Sequence, residues 1–84
     1  MNKNFIAEQL YIDNLVRTFR RRMFVDDESE AQCTWEARML CASHLAFARR
    51  IDFSDINELI EELAVEVKPM ACLIVERAKK AGRP

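Results

Sequence analysis

Glycine is nearly absent from this chain of 84 residues, with Gly82 its one example, and proline occurs only at Pro69 and Pro84. Loops that cradle phosphate need several glycines so that backbone amides can approach the anion. Neither a P-loop nor a dinucleotide fingerprint can be drawn here. The same scarcity excludes an all-β design with many turns, and a hydrophobic content of 50% argues against disorder. No apolar run approaches the roughly 20 residues of a membrane span. The first residues lack a basic stretch followed by an apolar one, so no secretory leader is expected. Histidine is limited to His44, and the three cysteines contain no CxxC pair, the spacing of a structural zinc site. Neither sign of charge is in excess. The net is −1, unlike the basic surplus of general nucleic-acid or membrane-surface binders.

What is present points to helix. A chain this short builds one core and one domain. Its charge changes sign in step with its periodic segments. Arg17, Arg20, Arg21 and Arg22 give way to Asp26, Asp27, Glu28 and Glu30, Arg49 and Arg50 to Asp52, Asp55 and Glu58, and the chain closes on Lys79, Lys80 and Arg83. Acidic groups at helix starts and basic groups at helix ends complement the backbone dipole, each by about 0.3–1 kcal/mol when exposed. The charge rhythm therefore marks helix boundaries. An all-α fold follows, a small bundle of four helices over about 3–24, 28–50, 54–67 and 69–81, with helix two or helix four central.

In helix one, Phe5, Ile12, Leu15, Val16, Phe19 and Met23 share a face at about 100° per residue, continuous from Ile12 onward because Glu8 interrupts it. Asp26 or Asp27 is the expected N-cap of helix two. That helix reads as apolar on two sides. Cys33, Ala37, Leu40, His44, Phe47 and Ile51 form one stripe, and Ala31, Trp35, Met39, Ala42 and Ala46 form a second nearly opposite it. A helix with two apolar faces is either the centre of its own bundle or binds a second chain. Ser54 is the expected cap of helix three, whose Glu58, Glu62 and Glu66 line one side as a solvated face or a docking surface for a basic partner. Pro69 ends or kinks that helix and suits the first turn of helix four. Residues 70–75 are apolar all round and read as buried on every side.

Catalytic and metal constellations are weak. His44 projects from an apolar stripe as a structural histidine does, and Ser43 points elsewhere. Cys41, His44 and Cys72 are the one set that could share a zinc, but Cys33 and Cys41 lie about 12 Å apart along one helix at roughly 1.5 Å per residue. That gap is also too long for a disulfide. Reduced thiols fit a cytoplasmic setting. No Glu-x-x-His pair suggests a di-iron bundle. No cofactor is implied.

The leading expectation is a non-enzymatic interaction module, a regulator, adaptor or inhibitor that binds another protein or a second copy of itself. Small helical chains of this character are common among bacterial and phage regulators. The contact residues would be Trp35, Met39, Ala42 and Ala46, with Glu58, Glu62 and Glu66 as the acidic stripe. The alternative is a nucleic-acid-binding regulator using Arg17, Arg20, Arg21, Arg22, Arg49, Arg50, Lys79 and Lys80. A helix-turn-helix is excluded because helix three, in the recognition position, is acidic. If Pro69 reverses the chain, Arg49, Arg50, Lys79, Lys80 and Arg83 gather at one pole; if it only kinks the helix, they do not.

Overall fold

A computed structural model describes the backbone from residue 3 to residue 84, and side chains from residue 8 onward. Phe5, counted above on the first stripe, lies outside the described side chains. Among the described residues the fold is all-α: α1 spans Lys3–Phe24, α2 Glu30–Arg49, α3 Ile56–Glu62 and α4 Ala64–Ala81.

Helix α1 follows its sequence pattern. Ile12, Leu15 and Phe19 are buried, with Val16 and Met23 packed against the core. Its end runs into a turn in which Asp27 adopts a left-handed conformation, φ 59°. The cap of α2 is Ser29 rather than Asp26 or Asp27: its hydroxyl accepts a hydrogen bond from the Gln32 amide at 3.1 Å. Arg50 ends α2 in the left-handed region, φ 55° and ψ 47°, donating its amide to Ala46 and Phe47. Similarly, Asp55 and not Ser54 caps α3, accepting from the Asn57 amide at 2.8 Å.

The seam of α2 differs from both stripes read in the sequence. Its buried residues are Cys33, Ala37, Cys41, Ala42, Leu45 and Ala46. Steps of four advance the face by about 40° each, so the buried side rotates around the helix along its length. Such a four-residue ridge belongs to helices that cross, whereas a heptad stripe belongs to helices lying side by side. Phe47, expected in the core on a heptad count, is consequently 87% exposed.

Helix three does not stop at Pro69. The break falls at Leu63, φ −100° and ψ 15°, and α4 runs through Pro69. The bend at Leu63 lets Leu59 and Ile60 on one side, and Val67 and Ala71 on the other, all reach the core. Pro69 forfeits a hydrogen bond to the Val65 carbonyl. Both residues are exposed, so water can take that carbonyl.

Helix directions follow from the side chains that join them. Tyr11 stacks on His44 with ring centroids 4.1 Å apart, and Arg22 reaches Glu36 at 2.6 Å; α1 and α2 are antiparallel. Arg49 meets Glu66 and Lys79 meets Glu30, so α2 and α4 are antiparallel too. Arg77 pairs with Asp13, while Arg20 holds the end of α4, which makes α1 and α4 parallel. Helix α4 packs along both α1 and α2, and α3 lies chiefly on α2. The molecule measures 36 × 33 × 17 Å. That thickness holds two layers of helices whose axes are about 8–10 Å apart, so every helix keeps an outer face.

Candidate interaction surface

Helix α4 buries Val67, Ala71, Ile74, Val75 and Ala78, a stripe about 100° wide. Diametrically opposite it, Val65, Pro69, Cys72 and Leu73 point outward. Val65 is 90% and Leu73 50% exposed, and Cys72 is the one exposed cysteine. The expectation that residues 70–75 are buried on every side is therefore corrected: Cys72 and Leu73 face solvent. A two-layer fold has nothing to place over them. On α1, Leu10 is also exposed. It lies one turn before Asp13, as Leu73 lies one turn before Arg77, and those two charges join the helices at 3.1 Å. Sequence reading missed this face because an all-apolar stretch was taken as an all-round core. The signal that could have found it is length, since 84 residues build two layers, which cover a helix on one side only.

The Trp35 stripe of α2 is divided. Ala42 and Ala46 are buried and cannot meet a second protein, a correction to their reading as contact residues. The short α3 packs on α2 and carries Leu59 and Ile60 into the core; small residues such as alanine are what close approach of a second helix requires. Met39 is half-buried and packs on the core. Beyond the reach of α3, Trp35 remains 43% exposed in an open hollow with Ala31, Thr34 and Arg38.

Glu58, Glu62 and Glu66 are all exposed, but the bend at Leu63 prevents one continuous stripe. Glu58 and Glu62 flank Phe53 in a cleft below the α2–α3 loop. Glu66 belongs to α4, where the Arg49 guanidinium binds both its oxygens at 2.7 and 3.0 Å. Those hydrogen bonds hold the Glu66 carboxyl below the usual carboxylate range, and push Arg49 higher still. Glu62 and Val65 line a shared cleft beside this pair.

The chain is not reversed at Pro69, because α4 runs through it. Antiparallel α2 and α4 part Arg49 and Arg50 from Lys79, Lys80 and Arg83, so the pole expected from a reversal at Pro69 does not assemble. Instead the parallel α1 and α4 bring their basic ends together. Arg20 is committed there: its Nε donates to the Gly82 carbonyl and its Nη2 to the Arg83 carbonyl, each at 2.6 Å. Arg22 is bound to Glu36 and lies over the Phe19 ring, 5.1 Å from its centroid. Lys79 is bound to Glu30. Among the described residues, Arg17, Arg21, Arg50, Lys80 and Arg83 are exposed and form no ion pair; Arg17, Arg20 and Arg21 line a cleft with Val25 and Pro84.

Two carboxyls meet beside Arg22. Glu28 Oε1 is buried without a hydrogen-bond partner among the described residues. Burial, then a hydrogen bond with Glu36 and the charge of that group, pushes the Glu28 carboxyl up. Against its own burial, Glu36 is held down by hydrogen bonds with Gln32, Glu28 and Arg22.

Tyr11 donates to the Leu40 carbonyl at 3.2 Å, and with His44 stacked on its ring the pair forms a joint between α1 and α2. Cys33 and Cys41 are buried thiols, each pushed up to about 11, mainly by burial. Cys41, His44 and Cys72 are not brought together, and no cluster of histidine, cysteine and carboxylate side chains suited to a metal ion forms among the described residues. No described helix is long and apolar enough to cross a membrane. No family model, curated protein or solved structure matches the chain. Its surface is what speaks to its role.

Proposed function

We propose that this protein is a non-enzymatic interaction module, a cytoplasmic regulator, adaptor or inhibitor, that works by docking the outer face of α4 on another protein surface. The observation that supports this is the half-covered apolar helix. Val65, Pro69, Cys72 and Leu73 form an outward stripe directly behind the core stripe. Contiguous apolar surface of this kind marks interaction sites, in contrast to isolated exposed side chains. The stripe is bounded by charge, with Glu62 and the Arg49–Glu66 pair at one end and Lys80 at the other, an apolar centre with a polar rim. Trp35 and Met39 offer a smaller, secondary contact on the far side of α2.

The test is the size of the native particle in gently lysed cells. Leu73→Glu and Val65→Glu alter exposed positions and leave the core intact, so helical content is retained. The wild-type chain is expected to elute in a larger assembly and both variants at monomer size. A wild-type chain at monomer size, or variants that elute with it, would sink the proposal.

A second reading is favoured by one observation, the convergence of Arg17, Arg21, Lys80 and Arg83 at the shared end of α1 and α4. Nucleic-acid binding there would weaken steeply with salt and fall on neutralising Arg17 and Arg21 together. Binding to oligonucleotides that is absent, or indifferent to salt, removes it.

A further inference from the structure

We infer that the occupant of the α4 face is a second copy of this chain, seated antiparallel across a two-fold axis level with Ala71; this rests on the interaction reading above. The charges at the two ends of the stripe carry the argument. Glu62, which shares a cleft with Val65 at the start of α4, precedes Ala71 by nine residues and Lys80 follows it by nine. Both are exposed, and neither is in an ion pair among the described residues. An isologous interface pairs residue i of one copy with residue j of the other, and j with i. With the axis at Ala71, Glu62 of each copy meets Lys80 of the other, Pro69 meets Leu73, and the exposed Glu76 meets Glu66, whose charge Arg49 already balances. A parallel arrangement would instead set Glu62 against Glu62 and Lys80 against Lys80, which like-charge repulsion disfavours.

The apolar centre is self-complementary at Pro69 and Leu73, while Val65 lies across from the stem of Arg77. Val65, Pro69 and Leu73 recur every four residues, the ridge that packs into the matching groove of a second helix. The ring of Pro69 and the thiol of Cys72 are small, so they allow close approach, while Leu73 supplies the larger side chain. The bent α3 contributes more acid beside Glu62, since Glu58 is exposed on the same short helix. The opposite end of α4 carries Arg83 in addition to Lys80. In the antiparallel pair each acidic end therefore lies over a basic end, twice. One helix face places the interface at the small end of specific ones, below about 1,200 Å² in total, so dissociation in roughly the micromolar range is expected.

Sedimentation velocity on the purified full-length chain, over a concentration series and two salt concentrations, tests this. A dimer is expected that dissociates on dilution and loosens as salt screens the end charges. Leu73→Glu should be monomeric throughout. Glu62→Lys alone should weaken association by about tenfold, like Lys80→Glu alone, with the double exchange recovering most of the loss. Orientation is read by the charge exchanges, and contact at the axis by a short bis-maleimide. The axis lies one residue from Cys72, which sets the two Cys72 thiols near each other, and Cys33 and Cys41 are buried, so wild type should cross-link as a dimer and Cys72→Ser should not. A dimer that survives Leu73→Glu, charge exchanges that fail to compensate, or a dimer without the Cys72 cross-link each overturns the arrangement. A purified chain that stays monomeric, while the native particle remains large and sensitive to Leu73→Glu, overturns the second copy as occupant and keeps the interaction reading. Monomer in both settings overturns both.

Discussion

The two ends of the bundle are built to different standards. At the end shared by the termini of α1 and α4 and the start of α2, Arg20 clasps the Gly82 and Arg83 carbonyls, Arg22 is bound to Glu36, Ser29 caps α2, and Phe19 is completely buried beneath Arg22. At the other end, Arg50 closes α2 in a strained left-handed conformation, α3 has only seven residues, and α4 begins at Leu63 without a side-chain cap. Among the described residues two ion pairs join helices there, Arg49–Glu66 and Lys68–Glu61, and both are exposed on both sides. Carbonyls at a helix end need donors, and this protein supplies charged ones at one pole while leaving the other to backbone and water. The looser pole carries Val65 and Glu62, which belong to the proposed docking surface. Local opening is expected to start where such contacts are fewest.

The contrast can be broken most severely through the aromatics. Phe19→Ala empties a fully enclosed site and is expected to cost about 3–5 kcal/mol, a large share of the roughly 4–12 kcal/mol expected at this length. Phe53→Ala, at the loose end where the ring is 47% exposed, should cost no more than about 0.5 kcal/mol. Urea denaturation of both variants measures the asymmetry, and equal losses would remove it. Next comes Arg20→Met, which keeps the stem and deletes the donors to the α4 carbonyls. A loss of about 1.5–3 kcal/mol is expected, with hydrogen exchange accelerating in the last turn of α4. If exchange there is unchanged, the clasp has no structural weight. Arg50→Gly should move stability the other way, by about 0.5 kcal/mol, because glycine adopts the left-handed conformation without a Cβ penalty.

The smallest effect is a difference of sign with pH. Glu66 is held down by Arg49, so its contribution is present above the unfolded glutamate pKa of about 4.3 and fades as pH falls through the lower folded value. Glu28 is pushed up, so its contribution is present below about 4.3 and fades as pH rises through its higher folded value. Acidification thus weakens the contribution of Glu66 and strengthens that of Glu28. Glu28→Gln keeps a donor toward Glu36 at every pH, and its stability relative to wild type should rise from acid to neutral conditions. Glu66→Gln should show the opposite trend. Parallel urea midpoints at pH 4 and pH 7, taken as working values near and above about 4.3, decide the matter, and matching trends for the two variants would be incompatible with this account.

Much of this architecture was legible. Periodicity located four helices, and α1 matched over its whole length, because a continuous stripe from Ile12 to Met23 leaves one way to face a core. The seam of α2 was not legible. Its apolar residues satisfy both a heptad count and a four-residue ridge, and only the crossing of neighbouring helices selects Cys41 and Leu45 over Leu40 and Phe47. The break at Leu63 was hidden as well. Leu63-Ala64-Val65 has no capping residue, while Pro69 six residues later is a louder signal that the helix accommodates on its wet side. The candidate surface was half visible. Trp35 and Glu62 are exposed, but Ala42 and Ala46 are buried, and the exposed side of residues 70–75 depends on how many layers the fold can stack.

The parallel pairing of α1 with α4 also bears on how the protein comes into being. Arg20 reaches a carbonyl 62 residues further along the chain, and α1 has more of its packing with α4 than with its sequence neighbour α2. During synthesis α1 leaves the ribosome first and α4 last, so the earliest helix spends translation without its main partner. Helices α2, α3 and α4, joined by short connections, can associate as they emerge. Non-local contacts of this kind are slow to form because a long loop must close before they reward it. Docking of α1 is therefore expected to close folding, and it is the step that buries Phe19.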